Sequence, residues 1–491
     1  MSYHSRCRLA VTGAICLLAV GMAGCSGSVA PDRASIVGPN SASPISSSVN
    51  EPLPSTCEEA TTIRPFVSTV SSDGRFFRDQ FGNPILLRGD SPWSGMIDWS
   101  PRQAETYFAN RDQNGYNAAI MSLIGTVANG GPSVGGATFD GIEPFIDGDI
   151  TRWNGKYWQR IDNYLQIACQ HGNTVFLYPL DGWTYKDDEF SSASVAQLET
   201  YGRMVADRFA SLPNITWMAG GDYGPDMDST EGSETDRQFN AVLTGIRETG
   251  DSRPYSIQLY DNSYSSQSVY WRDKIDWNFV YSYFPTYVQM LSAYRQKEVA
   301  TMPTILGESN YSDEDNLGGT PTTNETLRRQ ICWALTSGGA GEFSGSRDWL
   351  FAPGWEDRLD LPAVAQARGI RDFFGSLKWW ALVPDDEDPF VLSGRGSSAT
   401  DTDRIDMLDN DYVTAARTPD GTQAVVYVPT AREIRLDMSK LSSATQANWI
   451  DPSAASTPAI PAAIAADGTV STPGTNQDGD QDWLLSIGVE A

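Results

Sequence analysis

Two acidic residues stand where short apolar runs break off. Asp222 follows Gly220-Gly221 at the end of the run Ile215 to Gly220, and Glu308 follows Gly307 at the end of the run Thr304 to Gly307. Two carboxyl groups flanking one bond are the minimal apparatus of glycoside hydrolysis. One, protonated, donates to the leaving oxygen, and the other, ionised, attacks the anomeric carbon or activates water. Other chemistries find less material. The chain has two histidines, His4 and His171. A zinc site built on two or three histidines is therefore not expected, and a Ser-His-Asp triad would have to run through His171. His171-Gly172 closes a helical stretch, where an imidazole complements the helix dipole at the end of the molecule away from the carboxylates.

The elements that must carry the two acids repeat along the chain. Runs rich in β-branched and apolar residues occur at Pro84 to Gly89, Ala118 to Ser122, Thr174 to Pro179, Ile215 to Gly220, Tyr255 to Tyr260, Phe279 to Tyr283, Thr304 to Gly307 and Gly339 to Ser344. Each is followed by a helical stretch, and Ser100-Pro101 is a readable helix start. Eight such units predict a (β/α)8 TIM barrel, and the absence of G-x-G-x-x-G after the first run argues against an open doubly wound sheet. In a barrel the active site lies at the C-terminal ends of the strands. Asp222 and Glu308 then face each other from the fourth and seventh strands. Asp90 and Trp93, Asp181 and Trp183, Tyr283 and Trp349 follow the first, third, sixth and eighth, and are expected to shape a sugar subsite by hydrogen bonding and stacking. Asp222 is expected to be partly buried and held protonated by the charge of Glu308. Of the 15 Trp, 20 Tyr and 18 Phe, most are expected in the core. From Pro384 the helical period vanishes, and short alternating segments predict a C-terminal β-sandwich.

Composition narrows the partners and the compartment. With 62 Asp and Glu against 35 Lys and Arg, the formal charge is −27, which is unsuited to a phosphate backbone. The expected partner is a carbohydrate substrate, with no nucleic acid, cofactor or metal, and the chain is expected to be a monomer. Residues 1–24 read as a signal peptide, with Arg6 and Arg8 before an apolar run that is too short to span a membrane. Met22-Ala23-Gly24-Cys25 is similar to a bacterial lipobox, so a lipid on Cys25 would supply the sole membrane attachment of an exported, cell-surface lipoprotein. Residues 25–58 read as the lipidated cysteine and a Ser/Pro-rich tether, 59–383 as the barrel and 384–491 as the β-sandwich. Cys57, Cys169 and Cys332 remain, with room for one disulfide whose pairing is open.

Several stretches then carry a family resemblance. Arg75-Phe76-Phe77, Gly82-Asn83-Pro84 and Arg88-Gly89-Asp90-Ser91-Pro92-Trp93 resemble the opening motif of the apiosidase-like glycoside hydrolases. Pro213 to Asp222, Pro303 to Glu308 and Asp372 to Asp385 fit the same family in the same order. The resemblance implies a barrel followed by a small β domain that carries a collagen-binding label, and retaining, exo-acting glycosidase activity. It assigns Asp222 as acid/base and Glu308 as nucleophile. Two departures bear on the substrate. Phe343-Ser344-Gly345 stands where many members read Tyr-Gly-His, and the Gly-rich stretch Gly125 to Gly148 is idiosyncratic. The competing readings are a non-catalytic glycan- or matrix-binding protein on a barrel scaffold and a carboxylate hydrolase of another bond.

Overall fold

Strands β1 (Leu87–Asp90), β2 (Ala118–Ser122), β3 (Thr174–Tyr178), β4 (Ile215–Gly220), β5 (Tyr255–Gln258), β6 (Asn278–Tyr281) and β7 (Thr304–Glu308) are buried along their whole length. With β8 (Gly341–Ser344) they form one parallel sheet in the order β5-β4-β3-β2-β1-β8-β7-β6. Burial on both faces explains why β2, β3 and β4 read as nearly continuous apolar runs. The computed structural model describes residues 53–488 except 187, 317–320, 400–406, 443–445 and 455–458. The expected signal peptide, Cys25 and most of the tether lie outside the described residues.

Helices α1 (Pro101–Gln113), α2 (Gly155–Gln170), α3 (Val195–Arg208), α4 (Glu234–Glu248), α5 (Tyr287–Arg295), α6 (Asn324–Thr336) and α7 (Pro362–Gly375) cover the sheet. The start of α1 is a capping box between Ser100 and Gln103 with Pro101 in the first turn. One expected helix does not form. The β5–β6 connection has a two-residue strand, Ser263–Tyr264, antiparallel to β6, and one 3-10 turn, Ser265–Gln267. Its Asn and Ser side chains compete with the backbone for hydrogen bonds, which disfavours a helix. Here they close the barrel instead. The Ser265 hydroxyl donates to the Ile257 carbonyl of β5 at 2.6 Å and accepts the Phe279 N–H of β6 at 2.8 Å, while Ser256 donates across the same seam to the Trp277 carbonyl at 2.6 Å.

Aromatic rings fill the barrel. Phe176 packs edge-on to Phe343 and Trp277, and Phe77 reaches both Phe176 and Trp277. Phe77 belongs to an N-terminal hairpin whose Val67 N–H donates to the Thr174 hydroxyl at the start of β3, so the hairpin closes the N-terminal end. Gly89 makes room for this packing: a Cβ there would lie 2.0 Å from the Phe343 ring. At the same end a disulfide joins Cys57 to Cys169 in the last turn of α2, and Cys332 is buried and free. His171 caps α2 there, with its Nε2 2.9 Å from a carboxylate oxygen of Glu105. Among the described residues no helix is long and apolar enough to cross a membrane.

The C-terminal domain pairs two antiparallel sheets. Six strands run in the order Val383–Pro384, Thr414–Arg417, Ala424–Val428, Trp483–Ile487, Ala447–Ile450 and Ile460–Pro461, and three in the order Val391–Ser393, Glu433–Leu436 and Thr469–Ser471. The central strands of the larger sheet, Ala424–Val428 and Trp483–Ile487, are buried on both faces. Ala424, Val426 and Val428 point into the sandwich core, whereas the alternate residues Val425 and Tyr427 join the core of the barrel. Two successive arginines of α6 enter this contact. Arg329 donates to the carbonyls of Met407, Asn410 and Pro429, and Arg328 meets Asp478, Asp480 and Asp482.

Candidate active site

The turn after β4 is built for close approach. Gly220, Gly221 and Asp222 have φ of 84°, 94° and 51°, three left-handed residues in succession. A Cβ on Gly220 would lie 1.9 Å from the Gln258 carbonyl oxygen of β5, so only glycine lets the chain turn there. Asp222 holds a conformation that a non-glycine residue takes at a cost, and such strain concentrates at functional sites. On the facing side, β7 delivers Glu308 into the C-terminal mouth of the barrel.

Gln258 joins the two acids. Its amide nitrogen donates to Glu308 Oε2 at 2.7 Å and to Asp222 Oδ1 at 3.4 Å. The Tyr178 hydroxyl donates to the Gln258 Oε1 at 2.8 Å, which holds the amino end toward the carboxylates. Glu308 Oε1 accepts from the Tyr283 hydroxyl at 3.1 Å, and the Tyr281 hydroxyl lies 2.8 Å from that of Tyr283. The sequence placed the burial on Asp222; it falls on Glu308. Glu308 is 6% exposed, and Asp222 is half-buried because its turn projects it into the opening. Burial pushes the Glu308 carboxyl well above the usual range and the Asp222 charge adds to this, while the donors Tyr283, Gln258 and Tyr281 oppose it.

Around the pair lies a cleft of about 270 Å³. Of the residues expected to shape a sugar subsite, Trp93, Trp183, Tyr283 and Trp349 line it with Asp222 and Glu308. Asp90 and Asp181 do not. Asp90 turns inward, accepting from the Tyr107 hydroxyl at 2.6 Å, from the Arg111 guanidinium and from the Ser91 N–H. Asp181, 1% exposed, accepts from Ser122 Oγ at 2.5 Å, Asn129 Nδ2 at 3.1 Å and the N–H groups of Trp183 and Thr184. It ties the loop after β2 to the turn that presents Trp183. Both acids lie at a strand end like Asp222, but each has enough local donors to be drawn under the surface.

Sequence reasoning missed Gln258, Asn129, Tyr311, Glu314 and Asn316, which line the cleft together with Ala128 and Gly221. The fifth apolar run extends to Tyr260, two residues past the end of β5, and so hides Gln258, although Gln258 occupies the strand-end position that marked the others. Tyr311 receives the Trp93 indole N–H at 2.8 Å. The Trp349 indole N–H lies 3.2 and 3.1 Å from the two carboxylate oxygens of Glu314, whose carboxyl is pushed up by burial. A wider groove of about 670 Å³ runs between the end of α5 and the β domain, but its acids Asp386, Glu387 and Asp388 are ion-paired to Arg295, Lys297 and Arg417. Among the described residues no group of three or more His, Cys, Asp or Glu is placed to hold a metal ion.

A (β/α)8 barrel with two carboxyl groups at the ends of β4 and β7 defines the class of barrel glycoside hydrolases. The family model described as "Apiosidase-like, catalytic domain" matches residues 71–381, and the chain belongs to that family and is a glycoside hydrolase acting on carbohydrate. Residues 403–487 match a second model, "Putative collagen-binding domain of a collagenase". The fold is similar to a solved structure titled "Glycoside hydrolase", with TM-score 0.71 and 19% identity over 86% of this chain and 96% of that one. It is similar to the same degree, over 86% of this chain and 93% of the other, to a glycoside hydrolase family 5 structure from Bacteroides vulgatus. No curated protein sequence matches the chain.

Proposed function

We propose that the protein is a retaining, exo-acting glycosidase that removes a terminal, uncharged sugar from polysaccharide side chains. The carrying observation is that both carboxyl groups lie on one amide nitrogen, 2.7 and 3.4 Å from it. The nearest oxygens of the pair are therefore at most about 6 Å apart, which is compatible with the roughly 5 to 5.5 Å between the carboxyl groups of retaining enzymes. Asp222, in the opening, donates a proton to the glycosidic oxygen as the bond to the anomeric carbon breaks. Glu308, held by Gln258 and Tyr283, attacks that carbon from the opposite face to give a glycosyl-enzyme. Asp222 then takes a proton from water, which attacks the same carbon and frees Glu308.

The cleft supports exo action, because about 270 Å³ is smaller than the roughly 300 to 1,000 Å³ of ordinary ligand pockets and suits one sugar ring. Its described lining has three carboxyl groups, Asp222, Glu308 and Glu314, and no Lys, Arg or His, which disfavours a uronate. Trp93, Trp183 and Trp349 offer ring faces to sugar C–H groups. We further propose export through residues 1–24 and a lipid anchor on Cys25, with the chain acting as a monomer at the cell surface. Incubation with a panel of 2,4-dinitrophenyl 2-deoxy-2-fluoro glycosides, apiosides and arabinosides first, should leave one sugar on Glu308 by peptide mass spectrometry. Product of inverted anomeric configuration by NMR would overturn the assignment of Glu308 as nucleophile. A binding protein on a barrel scaffold would instead release no sugar and bind equally after Asp222→Ala and Glu308→Ala.

A further inference from the structure

We propose that Gln258 is a positioning residue that keeps the single proton of the Asp222–Glu308 pair on Asp222, and so decides which acid is the nucleophile. The inference rests on the reading of these two residues as the reacting pair. Two carboxyl groups this close hold one proton between them at neutral pH. Burial alone would place it on Glu308, the less exposed of the two, and the mechanism would then have no nucleophile. The geometry works against that outcome. An amide NH2 group donates and does not accept. With the Tyr178 hydroxyl on its oxygen, Gln258 turns its N–H groups to the carboxylates, and the shorter contact, 2.7 Å, goes to Glu308 Oε2. The other oxygen, Oε1, accepts from Tyr283. Each oxygen of Glu308 therefore already faces a donor, and a proton on Oε2 would be set against the amide N–H. Asp222 receives the same amide only at 3.4 Å.

The titratable groups facing Glu308 are Asp222 from the turn after β4, Tyr178 from β3, Tyr281 and Tyr283 from β6 and its end, and Tyr311 from the loop after β7. Burial raises all four tyrosines, so none of them is ionised near neutrality and the proton is settled between the two carboxyl groups alone. The amide is thus the neutral group that distinguishes two like charges.

The test reads the proton directly, without a substrate. The full chain is labelled with 13C at the glutamate δ-carbon and titrated by NMR, with the Glu308 signal assigned by its loss in Glu308→Gln. In Gln258→Met, which keeps the length and removes both amide protons, the Glu308 midpoint should rise by about one pH unit or more. Tyr178→Phe, which releases the amide orientation, should move it in the same direction by less, and it serves if Gln258→Met does not fold. The acidic limb of inactivation by the fluorinated glycoside should move with the midpoint. A Glu308 midpoint unchanged in a folded Gln258→Met, or unchanged in Tyr178→Phe if Gln258→Met does not fold, overturns the proposal. Failure of every reagent to label the wild-type chain would instead overturn the proposed function, leaving the titration to decide on Gln258.

Discussion

Arg328 on α6 holds Asp482 of the β domain with two nitrogens, Nε 3.2 Å from Oδ2 and Nη2 3.0 Å from Oδ1. The two side chains are 1% and 0% exposed, and the same guanidinium also meets Asp480 at 2.5 Å and Asp478 at 3.2 Å. Helix α6 follows β7, the strand that ends in Glu308. Its Gln330 accepts the Asn310 N–H at 3.2 Å and donates to the Ser282 carbonyl at 3.2 Å, beside Tyr283. The β domain therefore braces the helix that fixes the loops after β6 and β7. Arg328→Met should destabilise the chain by about 3 to 5 kcal/mol, since it leaves the buried Asp482 carboxylate without a counter-charge. Urea denaturation of Arg328→Met, Asp482→Asn and the double variant checks this. The double variant should lose less than the two single losses combined, and strict additivity would deny the coupling.

The proposed acid, Asp222, and the proposed nucleophile, Glu308, should fail in different ways. Asp222→Asn is expected to lower kcat/KM, which reads the first step, about 100- to 10,000-fold on natural linkages, which need proton donation, and far less on 2,4-dinitrophenyl glycosides, whose leaving group does not. Added azide should restore turnover and give a glycosyl azide of retained configuration. Glu308→Gln should lose activity on both substrate types, and azide should not yield the retained product. Equal loss on both substrates in Asp222→Asn would remove its role as acid.

Glu314 and Trp349 act together at the wall of the cleft, because the carboxylate fixes the indole through its N–H. Glu314→Gln keeps the shape and alters the charge, whereas Trp349→Phe keeps a ring and removes the donor. Each should lower kcat/KM about tenfold, the worth of one hydrogen bond to a charged group, mostly through KM. Glu314→Gln should also narrow the preference for the neutral sugar over its uronate. An unchanged ratio between the two substrates would show that the carboxylate takes no part in specificity.

The parts of this molecule that the sequence exposes are those whose chemistry is local. Thr174–Tyr178 and Ile215–Gly220 stand out because buried parallel strands favour apolar runs, and Gly220 because no side chain fits against the Gln258 carbonyl. Asp222 and Glu308 follow from the ends of such runs. What is hidden depends on distant partners. Asp90 and Asp181 have the same strand-end signature as Asp222, and only Arg111 with Tyr107, or Ser122 with Asn129, turns them inward. Gln258 is a neutral amide whose meaning comes from two acids 36 and 50 residues away. Asp478, Asp480 and Asp482 meet their counter-charge in Arg328, 150 to 154 residues earlier in the chain. The missing β5–β6 helix was legible in the Ser-rich composition of that connection but outweighed by the repeating pattern.

The disulfide between Cys57 and Cys169 ties the start of the described chain to the end of α2, on the barrel face away from the cleft. It closes a loop of 112 residues, for which loss of the crosslink costs about 2 to 5 kcal/mol. Cys57→Ser should lower Tm while kcat and KM at 25 °C stay within about twofold, since none of the cleft residues lies near it. Reduction should reproduce the stability loss, and a selective fall in kcat would contradict the separation of the two ends.

Glu342 on β8 and Arg88 on β1 are register neighbours, their Oε1 and Nε 3.9 Å apart and both side chains buried. Burial pushes the Glu342 carboxyl up to about 7 from 4.5, against the opposing pull of Arg88. Between those two values the folded chain keeps a proton that the unfolded chain has released, so folding takes up a proton there. Stability from this group is therefore steady below pH 4.5, falls as pH rises through 7, and is level above. Arg88 does not depend on the charge of Glu342 for its contacts, since it donates to the carbonyls of Asn114 and Val364 and lies over the Tyr116 ring. Glu342→Gln should accordingly match the wild type at pH 4 and exceed it by as much as about 3 kcal/mol at pH 8, the free energy of holding one proton across that interval. Urea denaturation at pH 4, 6 and 8 reads the difference. A stability gap that stays the same at all three values would show that Glu342 titrates alike in the folded and the unfolded chain.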